Sequence, residues 1–289
     1  MPLLDSVPVT SCHECVAMLT LPLALFLLLA ETAVGGFATV AYLRVTGGLT
    51  HGFLKFIAVT YAILGTIAFL VVLAGPPGAY HRLLSINQSA ASALIFLQGL
   101  LVAALVIHAV VIWRRDGSRL SWVLTLCASL LLLAGIAAAL WPLAGSILNG
   151  AAIALVVALS AAVLGAATTG MLLGHWYLVT PALTNRPLLR AIVVLLVSLV
   201  LQAVVFPLTL RGLAHGSGSL THPLTLSPVL TILWALGAVL LPLVAAGLAF
   251  PTCRLRSFMS TTGLLYLAMI AILPGQLLGQ LLFFVAASA

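Results

Sequence analysis

Few side chains in this sequence can do chemistry, and most of them are embedded in apolar stretches. Glu31 comes first: among 4 acidic residues it is the one carboxylate set in the interior of a long apolar run. At that depth a carboxyl must be protonated, hydrogen-bonded or open to a polar cavity, because a bare charge in hydrocarbon is costly. Two roles follow for it, either proton handling with contact to a quinone, or a structural hydrogen bond. His108 precedes Arg114 by six residues, and His175 precedes Pro181 by six, with Trp176 and Tyr177 marking an interface. Two imidazoles at matching depth on different helices are what bis-histidine ligation of a b-type haem iron requires. Arg44, His51 and Lys55 fall at the same end, where haem propionates can use cations. The alternative is that both histidines hydrogen-bond between helices.

A second group lies between the apolar runs. Tyr80, His81 and Arg82 are consecutive in one connection, and His215 and His222 occupy another. A quinone site needs hydrogen-bond donors for its carbonyl oxygens and an apolar slot for its tail, which a His and Tyr at the mouth of a helical bundle can supply. Gln98, Gln202, Gln276 and Gln280 are neutral polar residues inside apolar runs, and Gln276 and Gln280 share one helix face. Interhelical hydrogen bonding is their default role. Cys12-His13-Glu14-Cys15 has the spacing of a redox or metal pair, yet Val16 stands where c-type haem attachment needs a histidine. One pair cannot close a tetrahedral metal site, so a local disulfide or an interface remains its other reading.

The elements that position these residues follow from composition. Of 289 residues, 64% are hydrophobic and 5% charged, so no water-soluble surface can be built. The long, unalternating runs exclude a barrel and predict an all-α fold, a polytopic transmembrane helical bundle forming one domain over 1–289. Spans are expected near 16–43, 53–74, 88–113, 120–142, 147–179, 188–211, 228–250 and 261–286. Pro22, Pro207, Pro242 and Pro274 are candidate bends, and Gly35-Gly36 allows close helix approach. No repeated half is evident, which counts against an inverted-repeat transporter. No signal peptide is read at the N-terminus, and the connections are too short for a soluble catalytic domain.

The net charge of +7 does not point to nucleic acid, because the basic residues sit in short connections where they set topology. Arg44, Lys55, Arg114, Arg115, Arg119, Arg186, Arg190, Arg254 and Arg256 gather at one end of the spans, against Arg82 and Arg211 at the other. The positive-inside bias then puts both chain termini on the outer, periplasmic side of the cell inner (cytoplasmic) membrane.

Several stretches together resemble the NrfD-type membrane anchors of dimethyl sulfoxide and polysulfide reductases. They are Leu21-Pro22-Leu23 running into Glu31 to Phe37, Gly75-Pro76-Pro77 through His81-Arg82-Leu83-Leu84 to Asn87, Gly170 to Gly174, and Thr262 to Gln280. The resemblance implies eight spans, an iron–sulfur electron-transfer subunit and a catalytic subunit as partners, and a quinone near His81 and Glu31. Two departures stand out: Gln276 and Gln280 replace an expected Glu and Arg, and His108 and His175 fall where these anchors have no haem ligand.

The leading expectation is a quinone- or quinol-interacting subunit of a multisubunit respiratory oxidoreductase, using menaquinone or ubiquinone and contributing no catalysis alone. Its site residues would be His81, Glu31, Tyr80 and Arg82, and its partners the iron–sulfur and catalytic subunits, other membrane subunits and lipid. The alternatives are a b-type cytochrome with haem b on His108 and His175, and a transporter or channel working through Glu31 and the glutamines.

Overall fold

In hydrocarbon a backbone has no water to bond, so each segment must satisfy its own N–H and C=O groups, which a helix does. The computed structural model of the protein describes residues 13–114, 118–180, 184–213 and 228–288. These form eight helices, each long and apolar enough to cross a bilayer, the architecture of a multi-pass membrane protein. They are α1 (His13–Thr46), α2 (His51–Ala74), α3 (Gln88–Arg114), α4 (Arg119–Leu140), α5 (Ile147–Val179), α6 (Arg186–Arg211), α7 (Pro228–Arg254) and α8 (Phe258–Ser288). Each expected span has its helix, and the ends differ by at most four residues.

Local chemistry explains those ends. Thr50, Ser118 and Ser146 cap α2, α4 and α5 by accepting the N–H of Phe53, Leu120 and Asn149. α1 stops at Gly47 and Gly48, whose φ values of 81° and 101° suit glycine. α7 runs further than expected, through Pro251 to Arg254, and Arg256 at φ 58° then turns the chain into α8. Helices α1, α6 and α8 continue through Pro22, Pro207 and Pro274. Only before Pro242 does the register change, to a π-helical turn over Ala235–Leu240 in which the Leu241 N–H reaches the Leu236 carbonyl.

Helices α1, α5 and α8 form the centre. α1 packs chiefly on α5 and also on α2, α8 and α4; α5 packs on α6 and α8; α3 joins α2 to α4; and α7 rests on α6 and α8. The α1–α5 crossing is a backbone-to-backbone contact. A methyl group on Gly35 would fall on the Ala161 carbonyl oxygen, and one on Gly165 on the backbone of Gly35. Gly275 meets Gly237 and Ala238 in the same way where α8 crosses the π turn of α7. Around the outside, large apolar side chains such as Leu70, Phe96, Leu130, Val204 and Ile270 are exposed, as a surface bathed in lipid requires.

Candidate functional site

Where α1, α5, α6 and α8 converge, the apolar packing encloses a row of polar groups. Glu31 of α1 is 2% exposed, and its carboxylate oxygen accepts a hydrogen bond of 2.9 Å from the Gln280 side-chain N–H of α8. Its partner is an amide and not a cation. The carbonyl oxygen of Gln280 is buried and accepts no hydrogen bond. One turn earlier, Gln276 forms a reciprocal amide pair with Gln202 of α6, at 2.7 and 2.9 Å. The Gln202 amide also donates to the Ser160 hydroxyl of α5 at 2.9 Å. The shared face of Gln276 and Gln280 thus ties α8 to α6 with one residue and to α1 with the other.

Between the two pairs is a cavity of about 30 Å³, lined by Glu31, Ser160, Gln276 and Gln280 among apolar neighbours that include Leu27, Phe206 and Phe283. That is room for one or two water molecules and not for an aromatic ring. The cavity is lined mostly by apolar side chains but borders both a buried carboxyl and the unbonded Gln280 carbonyl oxygen, and a water-sized space beside these two groups could hold and pass a proton.

Tyr80 and His81 lie elsewhere. They belong to a short 3-10 turn, Pro77–Arg82, between α2 and α3. There the His81 ring bonds the Gly78 carbonyl oxygen through Nδ1 at 2.9 Å and is exposed. Tyr80 is half-buried, and burial pushes its phenol above the ordinary value, so the hydroxyl stays a donor at neutral pH. The Tyr80 hydroxyl and the Pro22 ring meet over Gly75, within 3.5 Å and 3.3 Å of where a Cβ on that glycine would be. Glu31 is nine residues further along α1, roughly 13 Å deeper at a helical rise. Tyr80 and His81 therefore stand at the end of the bundle, and Glu31 lies in its interior. Arg82 stands in the same turn.

The two histidines read as a haem pair differ in their surroundings. His108 is 1% exposed, edge-on to the rings of Phe37 at 4.9 Å and Trp122 at 4.4 Å. Its Nδ1 lies 3.2 Å from the Ser121 hydroxyl, whose own hydrogen goes to the Ser118 carbonyl oxygen, so Nδ1–H is the donor. His175 is exposed on the outside of α5, and α3 and α5 share no extensive contact. His108 thus makes the interhelical hydrogen bond, to Ser121 of α4, and His175 faces outward from a different helix. Among the described residues no group of three His, Cys, Asp or Glu could hold a metal ion.

Cys12, His215 and His222 lie outside the described residues, as does the side chain of Cys15. Reading the sequence missed Ser160, which gives no signal beyond being a small polar residue in an apolar run. It also missed the cavity, which exists only through the convergence of five helices, α1, α4, α5, α6 and α8. No protein-family model and no curated protein matches the chain. Its function has to be read from its own side chains.

Proposed function

We propose that the protein is a quinone- or quinol-interacting integral membrane subunit of a respiratory oxidoreductase, and that Glu31 is its proton-exchanging group. One observation carries the reading: a buried carboxyl, bonded to an amide, borders a water-sized cavity beside an unpartnered amide oxygen. Oxidation of a quinol releases protons with its electrons, and a carboxyl held in this way accepts and returns a proton without leaving a bare charge in hydrocarbon. The cavity is too small for a quinone ring, so the ring is assigned to the outer end of the bundle, with the Tyr80 hydroxyl and the His81 ring as donors to its carbonyl oxygens. Arg82 belongs to the same loop. Menaquinone and ubiquinone present the same carbonyl chemistry to these groups.

The weight of arginine and lysine at the Arg44, Arg119 and Arg190 end supports placing that end in the cytoplasm and both termini outside, in the inner membrane. An anchor of the NrfD type with this topology would pass electrons to an iron–sulfur partner on the outer face and through it to a catalytic subunit. The glutamines at 276 and 280 then stand in for an ion pair, and keep the proton-handling group to Glu31 alone.

The test separates the two parts. In the assembled complex, His81→Ala should slow quinol-linked turnover while electron transfer from an artificial donor to the partner subunits continues. Glu31→Gln should do the same and should also remove a carboxylic-acid band from the redox-difference infrared spectrum. Equal loss of both activities, or a carboxyl band that survives Glu31→Gln, sinks the assignment.

A further inference from the structure

Helix α4 leans on α3 and leaves a furrow where it passes α1 and α5. At its basic end the furrow widens into a hollow of about 470 Å³ lined by Ala41, Arg44, Val45, Arg119, Trp122 and Leu126. Leu126 is shared with a second hollow of about 240 Å³, which continues towards mid-bilayer past Ala38, Gly35 and Val34 of α1. The wall is mostly apolar: two of its three hydroxyls are spent within their own helices, Thr39 donating to the Gly35 carbonyl oxygen and Ser129 to that of Thr125, and the third belongs to Tyr42, which is exposed.

The two ends of this furrow differ in kind. At the mouth, the Arg44 guanidinium stacks over the Trp122 ring at 4.6 Å, which holds its plane in place, and Arg119 begins α4 across from it. From Arg44 down to Val34 is ten residues, about 15 Å of helix, or half of a hydrocarbon core about 30 Å thick. Two cations, Arg44 held on the Trp122 ring and Arg119 exposed beside it, above an apolar trough one leaflet deep have the shape and polarity of a single lipid molecule. We propose that the α1–α4 furrow is a binding site for an anionic phospholipid. Its phosphate is bound between Arg44 and Arg119, and one acyl chain lies along Ala41, Ala38 and Val34.

The choice of an anionic lipid over a neutral one rests on charge complementarity. Two guanidinium groups attract a headgroup with net negative charge, whereas a zwitterionic headgroup brings its own cation to the same place. The length of the trough argues against a free phosphate ion, which would leave the apolar part empty.

The experiment uses the full chain purified in mild detergent with its co-purifying subunits. Its unfolding midpoint is followed while phosphatidylglycerol, phosphatidylcholine of the same acyl chains, or inorganic phosphate is added. Phosphatidylglycerol should raise the midpoint and the other two should not. Arg44→Gln and Arg119→Gln should each raise the half-effective phosphatidylglycerol concentration about fivefold. Ala38→Leu, which fills the trough and spares both charges, should weaken the response as well. Arg254→Gln, at the same end of the bundle but on α7, should leave it unchanged. Native mass spectrometry of the unaltered protein gives a readout independent of any variant, with one phosphatidylglycerol retained through delipidation. Equal stabilisation by phosphatidylcholine or by inorganic phosphate, no retained lipid, or an unchanged response in the arginine variants overturns the proposal. So does loss of a protein subunit in Ala38→Leu with the lipid response intact, since a partner helix would then be the occupant.

Discussion

Glutamine is an unremarked residue in most membrane helices, yet here Gln202 and Gln276 bond one another twice and Ser160 once, all in the protein interior. Truncating one member orphans the other in a place without water, at about 1–3 kcal/mol. Gln202→Leu should therefore lower the unfolding midpoint in detergent, and the Gln202→Leu/Gln276→Leu double variant should lose less than the sum of the two single variants. The histidines teach the same lesson from the opposite side. His108→Ala opens a hole beside the stacked rings of Phe37 and Trp122 and should cost about 2–5 kcal/mol. His175→Ala, on an exposed face, should stay within about 0.5 kcal/mol and leave the visible spectrum of the purified protein unaltered. Both histidines look alike as letters in apolar runs, and only burial separates them.

At the scale of the helix, glycines sort by what passes above them. Gly35 and Gly165 lie where α1 and α5 touch backbone to backbone, so Gly35→Ala or Gly165→Ala forces the two central helices apart. Either change should abolish recovery of folded protein from the membrane, as seen by size-exclusion profile. Gly247 of α7 and Gly263 of α8 have nothing within 4 Å of an added Cβ. Gly247→Ala and Gly263→Ala should be neutral or stabilising by up to about 1 kcal/mol, the helix propensity difference. The Gly35-Gly36 pair was legible in the sequence as a site of close approach, but its partner on α5 was not. Likewise Pro22, Pro207, Pro242 and Pro274 were all visible as candidate bends, whereas the change of register occurs only at Pro242. There the small residues Gly237 and Gly275 let the widened turn seat against α8.

At the scale of the whole molecule, the proposed orientation, with the basic end in the cytoplasm, is open to direct test. A cysteine replacing exposed Ser85 between α2 and α3, in a background lacking Cys12, Cys15 and Cys127, should react in intact cells with a membrane-impermeant thiol reagent. One replacing exposed Ser257 between α7 and α8 should react only after the membrane is opened, and the reverse pattern would invert the topology. What the sequence determined by itself is the class and span count, because a stretch of 20 apolar residues has a single low-energy answer in hydrocarbon, and that answer is local. The helix ends followed for the same reason, since capping residues such as Thr50 and Ser146 act within a turn. Which buried groups meet was decided by the tertiary structure alone. Glu31 and Gln280 are 249 residues apart and gain a partner only when α8 packs on α1. The same folding buries His108 and exposes His175, two residues that matching depth alone did not distinguish. Apolar helices in lipid have no hydrophobic force to select their neighbours, so close glycine contacts and a few buried hydrogen bonds make that selection, and both depend on residues distant in the chain.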